Sequence, residues 1–466
     1  MAATPSARTA PRLRSHIRLL LCAALVTISG AACTGAPLPD VRPPDSATAY
    51  GPERPPVTLT VWHGWTDERE ASAFQAMLDR FHLLHPNIGV RAVGGVTDSQ
   101  IINGIRSEQN VDVVSSFTTD DVGLYCGSGA WVDLNPFLRS SGIDAAKTFT
   151  APSLAYSAYH GDQCALPLLG DTFGLYYNKA MFAKAGIERP PRTLSELEAD
   201  AAKLTVRAAD GSLRVAGFLP DVDWYENAPD HLQSVFGIRF QDADNRSVLA
   251  GDPGVASELR FQSRMMAVLG GADEAQAFAA GPAAGDENSA ANAFLTGKVA
   301  MAVGGEWTTA EIAADAPDLD YGTAPLPVAD DRVAAYGSGT VTGTVIGIAR
   351  TTRHSDAAWE LVRFLTTDTG ALTAFANAIH NVPTTYAVAA DPALAADDRF
   401  RTFIAIAADP RSTSTPPSPN GGYYKSSFQR FVAAYEAGRV TDPQSALRAL
   451  DREIDSATDQ GREPTP

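Results

Sequence analysis

Strand and helix patterns alternate over residues 57–117, and this alternation constrains the fold more than any other feature of the chain. Helices are predicted at 68–85 and 98–109, where apolar residues recur every three to four positions. The short apolar runs that flank these helices are typical of buried strands, namely VTLTVW at 57–62, GVRAVG at 89–94 and VDVVSSF at 111–117. A β-α-β-α-β order predicts a parallel, twisted α/β sheet covered by helices.

The alternation restarts in the middle of the chain. CALPLLGDTFGLYYNKAMFAKAG (164–186) predicts a strand, a polar interruption at 170–172, a second strand and a helix. Farther along, AFLTGKVAMAVGGEW (293–307) predicts a strand that ends at Trp307. YGSGTVTGTVIGIAR (336–350) predicts a pair of strands rich in glycine and threonine. Strands and helices therefore continue to alternate well beyond the first sheet.

The stretch TVWHGWTDERE (60–70) leads from the first predicted strand into the first predicted helix. In parallel α/β sheets, ligands gather at the carboxyl ends of strands, where loops enter helix N-termini. Trp65 lies beyond the strand in such a loop, where burial in a core is hard to arrange. We therefore predict that Trp65 contacts a ligand, whereas Trp131 and Trp359 are predicted to be core residues.

The N-terminus has the order of an export signal. Basic residues up to Arg18 precede an apolar run at 19–28, and small residues then lead to Cys33. The run is shorter than the ~20 residues that a membrane-spanning helix needs. The small residues before Cys33 resemble a bacterial lipoprotein box, although Gly30 stands where leucine is usual. We predict a signal peptide at 1–32 and acylation of Cys33; ordinary cleavage in the same region is the alternative.

Composition excludes some functions and predicts flexible ends. The formal net charge is −17 and the chain has no long basic run, which argues against a nucleic-acid partner. Residues 33–56 are rich in proline, glycine and small polar residues, so they predict a flexible tether. A disordered tail is expected at 461–466. The 45% of hydrophobic residues can form a sizeable core between these ends.

Cysteine usage agrees with export. Cys22 lies in the leader and Cys33 in the lipoprotein box, so only Cys126 and Cys164 remain in the body. In an oxidising compartment the simplest expectation is that these two form a disulfide, which would stabilise the fold by about 4 kcal/mol. Two unpaired buried thiols are the alternative. No Cys/His spacing is typical of zinc, and we expect neither a metal nor another cofactor.

Four segments together resemble a known family. They are VWHGW, LLGDTFGLYYNKAMFAKAGIERPPRTLSEL, AFLTGKVAMAVGGEW and AAWELVRFL…NAIHNVPTT. In this order they resemble the solute-binding lipoproteins of ABC sugar importers, of the maltose and multiple-sugar type, from about residue 57 to about residue 455. The resemblance implies an α/β fold with two lobes, each a mixed sheet flanked by helices, and a ligand cleft between the lobes.

The resemblance also implies domain boundaries and a mechanism. The implied first lobe comprises 57–167 and 336–383, and the second comprises 168–335 and 384–460. The chain is expected to cross between lobes near 166–171, 335–339 and 382–385. Hinge closure would present a carbohydrate, an oligosaccharide in our interpretation, to a membrane permease. The implied protein is a monomer outside the cytoplasm, held to the membrane by its N-terminal lipid.

The resemblance implies that both lobes contribute ligand contacts. Aromatic rings suit the C–H faces of sugars, and planar polar groups suit their hydroxyls. The residues implied to line the cleft are Trp62, His63, Trp65, Thr66, Asp67, Phe117, Thr118, Asp120, Asp171, Trp224, Tyr225, Glu226, Glu306, Trp307, Tyr423 and Tyr424, with Gly339, Thr340 and Asn381 at the hinge.

Two alternatives remain open from the sequence. In an exported carbohydrate-active enzyme, carboxylates such as Asp120 and Glu306 would act as acid and base across a glycosidic bond. In a sensing lipoprotein, the same cleft would serve no permease. The chain has none of the common GxSxG, Walker, HExxH or GxGxxG motifs, so we expect a binding protein and not an enzyme. The solute itself is not determined by the sequence.

Overall fold

The computed structural model describes residues 50–281, 291–395 and 397–462. Several sequence predictions fall outside these ranges, namely the signal peptide (1–32), the lipidation site Cys33, tether residues 34–49 and tail residues 463–466. The described end of the predicted tether contacts the body, since Arg54 forms an ion pair with Asp356 at 3.7 Å. The prediction of a disordered tail is wrong for residues 461 and 462, which belong to the last helix.

Strands and helices alternate through the described part of the chain. The strands are β1 (Val57–Trp62), β2 (Ile88–Val93), β3 (Val113–Ser116), β4 (Leu166–Asn178), β5 (Val206–Arg207), β6 (Leu213–Phe218), β7 (Val299–Gly305), β8 (Tyr321–Pro325) and β9 (Val341–Ile348). Short 3₁₀ segments occur at Thr119–Asp121, Tyr225–Asn227, Leu249–Gly251 and Asp330–Ala335.

The helices cover both faces of the strands. In chain order they are α1 (Glu68–Leu84), α2 (Asp98–Arg106), α3 (Val122–Gly127), α4 (Asn135–Ser140), α5 (Ala145–Thr148), α6 (Ala151–Tyr156), α7 (Lys179–Ala185), α8 (Leu194–Leu204), α9 (Gln233–Phe236), α10 (Pro253–Leu269), α11 (Ala272–Ala279), α12 (Thr308–Asp315), α13 (Ser355–Thr367), α14 (Thr369–Ile379), α15 (Tyr386–Ala389), α16 (Asp398–Ala408), α17 (Tyr423–Glu436) and α18 (Pro443–Arg462).

The strands form a mixed sheet in the order β2-β1-β3-β9-β4-β7-β6-β5, and β8 also pairs with β4. Strand β1 is parallel to both β2 and β3, so the parallel sheet predicted from the alternation is confirmed. Strand β9 then pairs antiparallel with β3 and with β4. We call the part around β1, β2, β3 and β9 the first lobe, and the part around β5, β6, β7 and β8 the second lobe.

Strand β4 joins the two lobes by changing its partners. Its residues up to Thr172 pair with β9, whereas those from Phe173 onward pair with β7 and β8. The predicted polar interruption at 170–172 is therefore wrong, because the strand continues through it. Polar side chains are tolerated within the strand because they form hydrogen bonds. The Thr172 hydroxyl, for example, donates to the Thr340 carbonyl at 2.7 Å.

The segment 336–350 forms one strand and not the predicted pair. A turn with Gly337 at φ 103° precedes β9, and Thr340 forms a bridge with Thr413. Strand β9 lies between β3 and β4, so both of its edges are already paired by distant segments. After β9 the chain forms α13, α14 and α15. Helix α15 packs against α14 and α5, whereas α16 packs against β4 and β8; the lobe boundaries themselves remain predictions.

Each lobe has its own apolar core. In the first lobe, Trp359 on α13 is 1% exposed and Trp131 is 2% exposed, so the prediction that both are core residues is confirmed. The second core contains Phe173 and Leu175 of β4 together with residues of α8, α10 and α17. A disulfide links Cys126 on α3 to Cys164, with Cα atoms 5.7 Å apart, and ties α3 to the segment that enters β4.

Candidate functional site

Three polar side chains meet where β4 passes between the lobes. Asp171 lies on β4, Glu306 follows β7, and Asn381 follows α14. The Asn381 amide nitrogen donates to the Asp171 carboxylate and, at 3.0 Å, to Glu306 Oε1. The backbone nitrogen of Thr172 donates to Glu306 Oε2 at 2.9 Å. We call Asp171, Glu306 and Asn381 the acid–amide group.

Burial controls the protonation of this group. It raises the pKa of Asp171 to about 6, and the nearby Glu70 adds to that rise. Burial, together with the charge of Asp171, also raises the pKa of Glu306 well above its usual range. Two carboxyls this close do not both ionise easily in a low-dielectric site. Glu306 therefore keeps a proton near neutral pH, while Asp171 is the more acidic partner.

Aromatic rings from the second lobe border the acid–amide group. Tyr225 is 51% exposed and Trp307 is half-buried, with their ring centroids 6.2 Å apart. Phe173, two residues beyond Asp171 on β4, lies 5.9 Å from the Trp307 ring and stacks on His231 at 3.9 Å. The Trp307 ring lies directly over Gly305, where a Cβ would overlap it.

The first lobe contributes one exposed ring and a polar rim. Phe117, directly after β3, is 47% exposed and contacts Trp65 edge-on at 5.4 Å. Thr66 and Asp67 are exposed, and the Asp67 carboxylate caps α1 by accepting from the backbone nitrogens of its first turn. Glu70 of the same turn lies close enough to Asp171 to raise the pKa of that carboxyl.

Trp65 itself does not reach solvent. Only 4% of it is exposed, and it packs against Phe74 at 4.6 Å, Phe375 at 5.7 Å and His63 at 5.4 Å. The expectation that Trp65 resists burial is therefore wrong. The reason is that α1 and α14 pack together and place their phenylalanines around the loop. Trp62 is half-buried, with its ring against Gly104 of α2.

A buried charged network joins the two lobes beside these rings. Asp120, which follows β3, is fully buried, and its Oδ2 lies 2.7 Å from Lys425 Nζ on α17. The same Nζ lies 2.8 Å from Asp230, and the Tyr424 hydroxyl donates to Asp120 Oδ1 at 2.8 Å. Burial alone would lower the pKa of Lys425, but the two carboxylates hold it above its usual range.

The remaining sequence-predicted residues lie elsewhere in the fold. Tyr423 donates to Glu453 at 2.6 Å and therefore points toward α18. Trp224 is half-buried against an apolar cluster that contains Leu219. Of the other predicted positions, His63 is buried, Thr340 is buried behind β4, and Glu226 is partly exposed. The Thr118 hydroxyl donates to Asp98 at 2.7 Å, and the Gly339 backbone nitrogen donates to the Ser412 hydroxyl at 2.9 Å.

Sequence reasoning missed Lys425, Asp230, His231 and Phe173 as neighbours of the site. Lys425 directly follows the predicted Tyr424, and His231 follows the WYENAPD loop that contains Tyr225, so their positions were weak signals. A lysine and an aspartate about 300 positions apart carry no local pattern that pairs them. Only the packing of α17 against the 3₁₀ segment at Thr119–Asp121 brings Lys425 and Asp120 together.

The described residues contain no cluster of three or more His, Cys, Asp and Glu side chains that could hold a metal ion. Within the same part of the chain, no helix is both long enough and apolar enough to span a membrane. The site is thus built from carboxyls, one amide and aromatic rings. These groups can form hydrogen bonds to hydroxyls and apolar contacts to ring faces.

Comparison with known proteins relates this site to a family. The family model described as bacterial extracellular solute-binding protein matches residues 65–372. A binding protein of Brucella abortus is 28% identical over 222 residues, which cover 47% of this chain and 49% of that protein, so the chain spans about half the length of this relative. A maltotriose-binding protein of Pyrococcus abyssi is 22% identical over 341 residues, or 73% of this chain and 69% of that protein.

A solved structure has a fold similar to that of this chain. The structure of CpMnBP1 with mannotriose bound has a TM-score of 0.72 and 24% identity to this chain, and it covers 85% of this chain and 100% of its own. This likeness confirms the two-lobed α/β architecture predicted from the sequence. The family model covers most of the described body. The chain therefore belongs to the bacterial extracellular solute-binding protein family, as its motifs predicted.

Proposed function

We propose that this protein binds a carbohydrate, an oligosaccharide, between its lobes and delivers it to the permease of an ABC importer. The observation that carries the proposal is that the buried Glu306 and the partly exposed Asp171 share one site with the accessible rings of Tyr225 and Trp307. Asn381 bridges Asp171 and Glu306 beside Trp307, whose ring centroid lies 6.2 Å from that of Tyr225. Sugars need both kinds of surface, because they have apolar C–H faces and a rim of hydroxyls.

Each residue of the site has a separate role in this proposal. Ionised Asp171 accepts a hydrogen bond from a sugar hydroxyl, and protonated Glu306 keeps the pair compatible with burial. Trp307 and Tyr225 stack on one sugar face, and Phe117 contacts the ligand from the first lobe. Thr66 and Asp67 supply exposed polar atoms at the rim.

The charges around the site favour a neutral ligand. The groups nearest Asp171 include the acids Glu70 and Glu306, both of which influence its titration. Lys425 is already held by Asp120 and Asp230 at 2.7 and 2.8 Å, so its charge is matched. A phosphorylated solute would be repelled by the carboxylates here, and Lys425 would not be free to neutralise it. Of the proteins reported above, one is a maltotriose-binding protein and another was solved with mannotriose bound, and both sugars are neutral oligosaccharides.

The test is a thermal-shift screen of the mature body against mono-, di- and trisaccharides, followed by calorimetric titration of the best binder. We expect Trp307→Ala to weaken binding by about 1–3 kcal/mol, the range for a buried contact residue. Tyr386→Ala is a matched control, since Tyr386 is also an exposed aromatic (44%) but lies on α15. It should bind as the wild type does.

Two results would contradict the proposal. One is a screen in which no saccharide stabilises the protein; the other is equal loss of affinity in Trp307→Ala and Tyr386→Ala. The ligand recovered after incubation is also analysed by chromatography. Intact sugar is expected of a binding protein, whereas cleaved sugar would favour the alternative of a carbohydrate-active enzyme.

We also propose that the protein acts outside the cytoplasm as a monomer anchored by acylated Cys33. The support is the order of the N-terminal sequence, in which a basic region, a short apolar run and small residues precede the cysteine. The proposed test replaces Cys33 with alanine in the full chain. We expect release into the medium or an uncleaved precursor; a cleaved variant that is still retained in the membrane fraction would refute the anchor.

A further inference from the structure

A second cavity lies in the second lobe, apart from the candidate site. Its volume is about 610 Å³, and it lies between α9, the 3₁₀ segment at Asp330–Ala335 and residues 411–416. None of its lining residues belongs to the acid–amide group or to the aromatic rings around it. Ser234, which lines the cavity, accepts a hydrogen bond from the Thr340 hydroxyl at 3.2 Å, and the Thr340 carbonyl accepts one from Thr172, so Thr340 lies between β4 and this cavity.

Three arginines line this cavity, and no aspartate or glutamate does. Arg411 is neutralised locally, because its guanidinium binds Asp409 through Nε at 2.9 Å and Nη2 at 2.5 Å. In the described part of the chain, the guanidinium groups of Arg239 and Arg332 have neither an ion-pair partner nor a hydrogen-bond acceptor. Two guanidiniums at this cavity therefore lack a direct ion-pair partner among the described residues of a chain of net charge −17.

The Arg332 guanidinium lies directly against the backbone of Gly237. Gly237 ends α9 with φ 73°, and a Cβ at this position would overlap the Arg332 guanidinium. The Nε of Arg332 is buried and has no partner. A buried donor without an acceptor costs free energy, so a well-placed charged donor of this kind favours an acceptor that arrives from outside.

Two glutamines add unpartnered atoms at the same cavity. Gln233 is 4% exposed and its amide nitrogen has no hydrogen-bond partner. Gln241 is 5% exposed, and its amide oxygen likewise has none. The cavity lining therefore offers two guanidiniums and a buried amide donor, with one amide acceptor for a neighbouring hydroxyl.

We propose that this cavity binds a small molecule through an oxyanion, either phosphoryl or carboxylate, held by Arg332 and Arg239. The planar guanidinium fork matches the geometry of both groups, and each can accept two parallel hydrogen bonds from it. Gln233 supplies a further donor. The volume exceeds what one oxyanion needs, so the remainder of the molecule occupies the space near Ser338 and Pro416.

The experiment titrates the ligand-free mature body with inorganic phosphate and, separately, with citrate, at constant ionic strength set by sodium chloride. Binding is followed by calorimetry and by the melting temperature. We expect saturable binding of at least one of the two probes. Arg332→Gln and Arg239→Gln should each weaken it about tenfold or more, as expected for loss of a charged hydrogen bond. Arg401→Gln, whose side chain is 67% exposed on α16, is the charge-matched control.

The outcomes separate the ligand classes. Phosphate binding without citrate binding assigns a phosphoryl group, and the reverse assigns a carboxylate. Absence of saturable binding by both probes overturns the proposal. Equal weakening by Arg332→Gln and Arg401→Gln also overturns it, because a general charge effect would then explain the binding. Melting temperatures of the ligand-free variants show whether each is folded, and the exposed Arg239 provides the test if Arg332→Gln is unstable.

Discussion

Two tryptophans occupy equivalent places in the two lobes but have different surroundings. Trp65 lies between β1 and α1, and Trp307 lies between β7 and α12. Trp65 is 4% exposed because Phe74 and Phe375 pack around it, whereas Trp307 remains half-buried beside the exposed ring of Tyr225. The end of a strand thus places a ring near the cleft, but distant helices decide whether solvent or ligand can reach it.

The largest expected effect tests this difference directly. Trp65→Ala should lower the free energy of unfolding by about 4 kcal/mol, because it leaves a cavity among packed rings. Trp307→Ala should lower it much less, since that ring is only half-buried. Urea unfolding of the two ligand-free variants measures both values. Equal losses, or a larger loss for Trp307→Ala, would show that the two tryptophans do not differ as the packing indicates.

A smaller effect is expected at the buried charged network that joins the two lobes. Lys425→Met removes the cation between Asp120 and Asp230, which are 0% and 6% exposed. Buried charges without a counterion are costly, so the free energy of unfolding should fall by about 3 kcal/mol. Lys147→Met is the control, because its ion pair with Asp144 is highly exposed and should contribute nothing measurable. If urea unfolding shows no loss of stability in Lys425→Met, the stability of the folded lobes does not depend on this cation.

The smallest expected effect is a pH dependence of stability that arises from Asp171. Asp171 has a folded pKa of about 6 against an ordinary value of 3.8, because of its burial. The folded protein therefore binds more protons than the unfolded chain between these values, and stability from this group is lost as the pH rises from about 4 to about 6. Asp171→Asn should reduce the slope of the melting temperature against pH in that window.

Asp210 provides a control of opposite sign. Its exposed carboxylate accepts from Ser212, which lowers its pKa, so its contribution to stability is present at neutral pH and is lost as the pH falls. Asp210→Asn should leave the slope between pH 4 and 6 as in the wild type. If Asp171→Asn gives the same profile as the wild type, the acid–amide group does not hold the extra proton.

Local elements were predictable because their signals are local. The predicted strand at 57–62 coincides with β1, and the predicted helix at 68–85 differs from α1 by one residue. The apolar spacing sets the buried face of α1, and Asp67 caps it through the backbone nitrogens of Arg69 and Glu70. The family motifs located Asp171, Glu306 and Trp307, and these lie together in the fold, although their contact with ligand remains a prediction.

The sequence by itself determined where most of the predicted strands and helices form and which family the chain belongs to, since periodicity, caps and motifs are read within short segments. Only the tertiary structure decided which rings are covered and which charges are matched. Phe375 covers Trp65, and Tyr424 binds Asp120 across 304 positions of the chain. Burial and charge pairing depend on such distant partners, and no local pattern encodes them; this is why Trp65 was misjudged and Lys425 was missed.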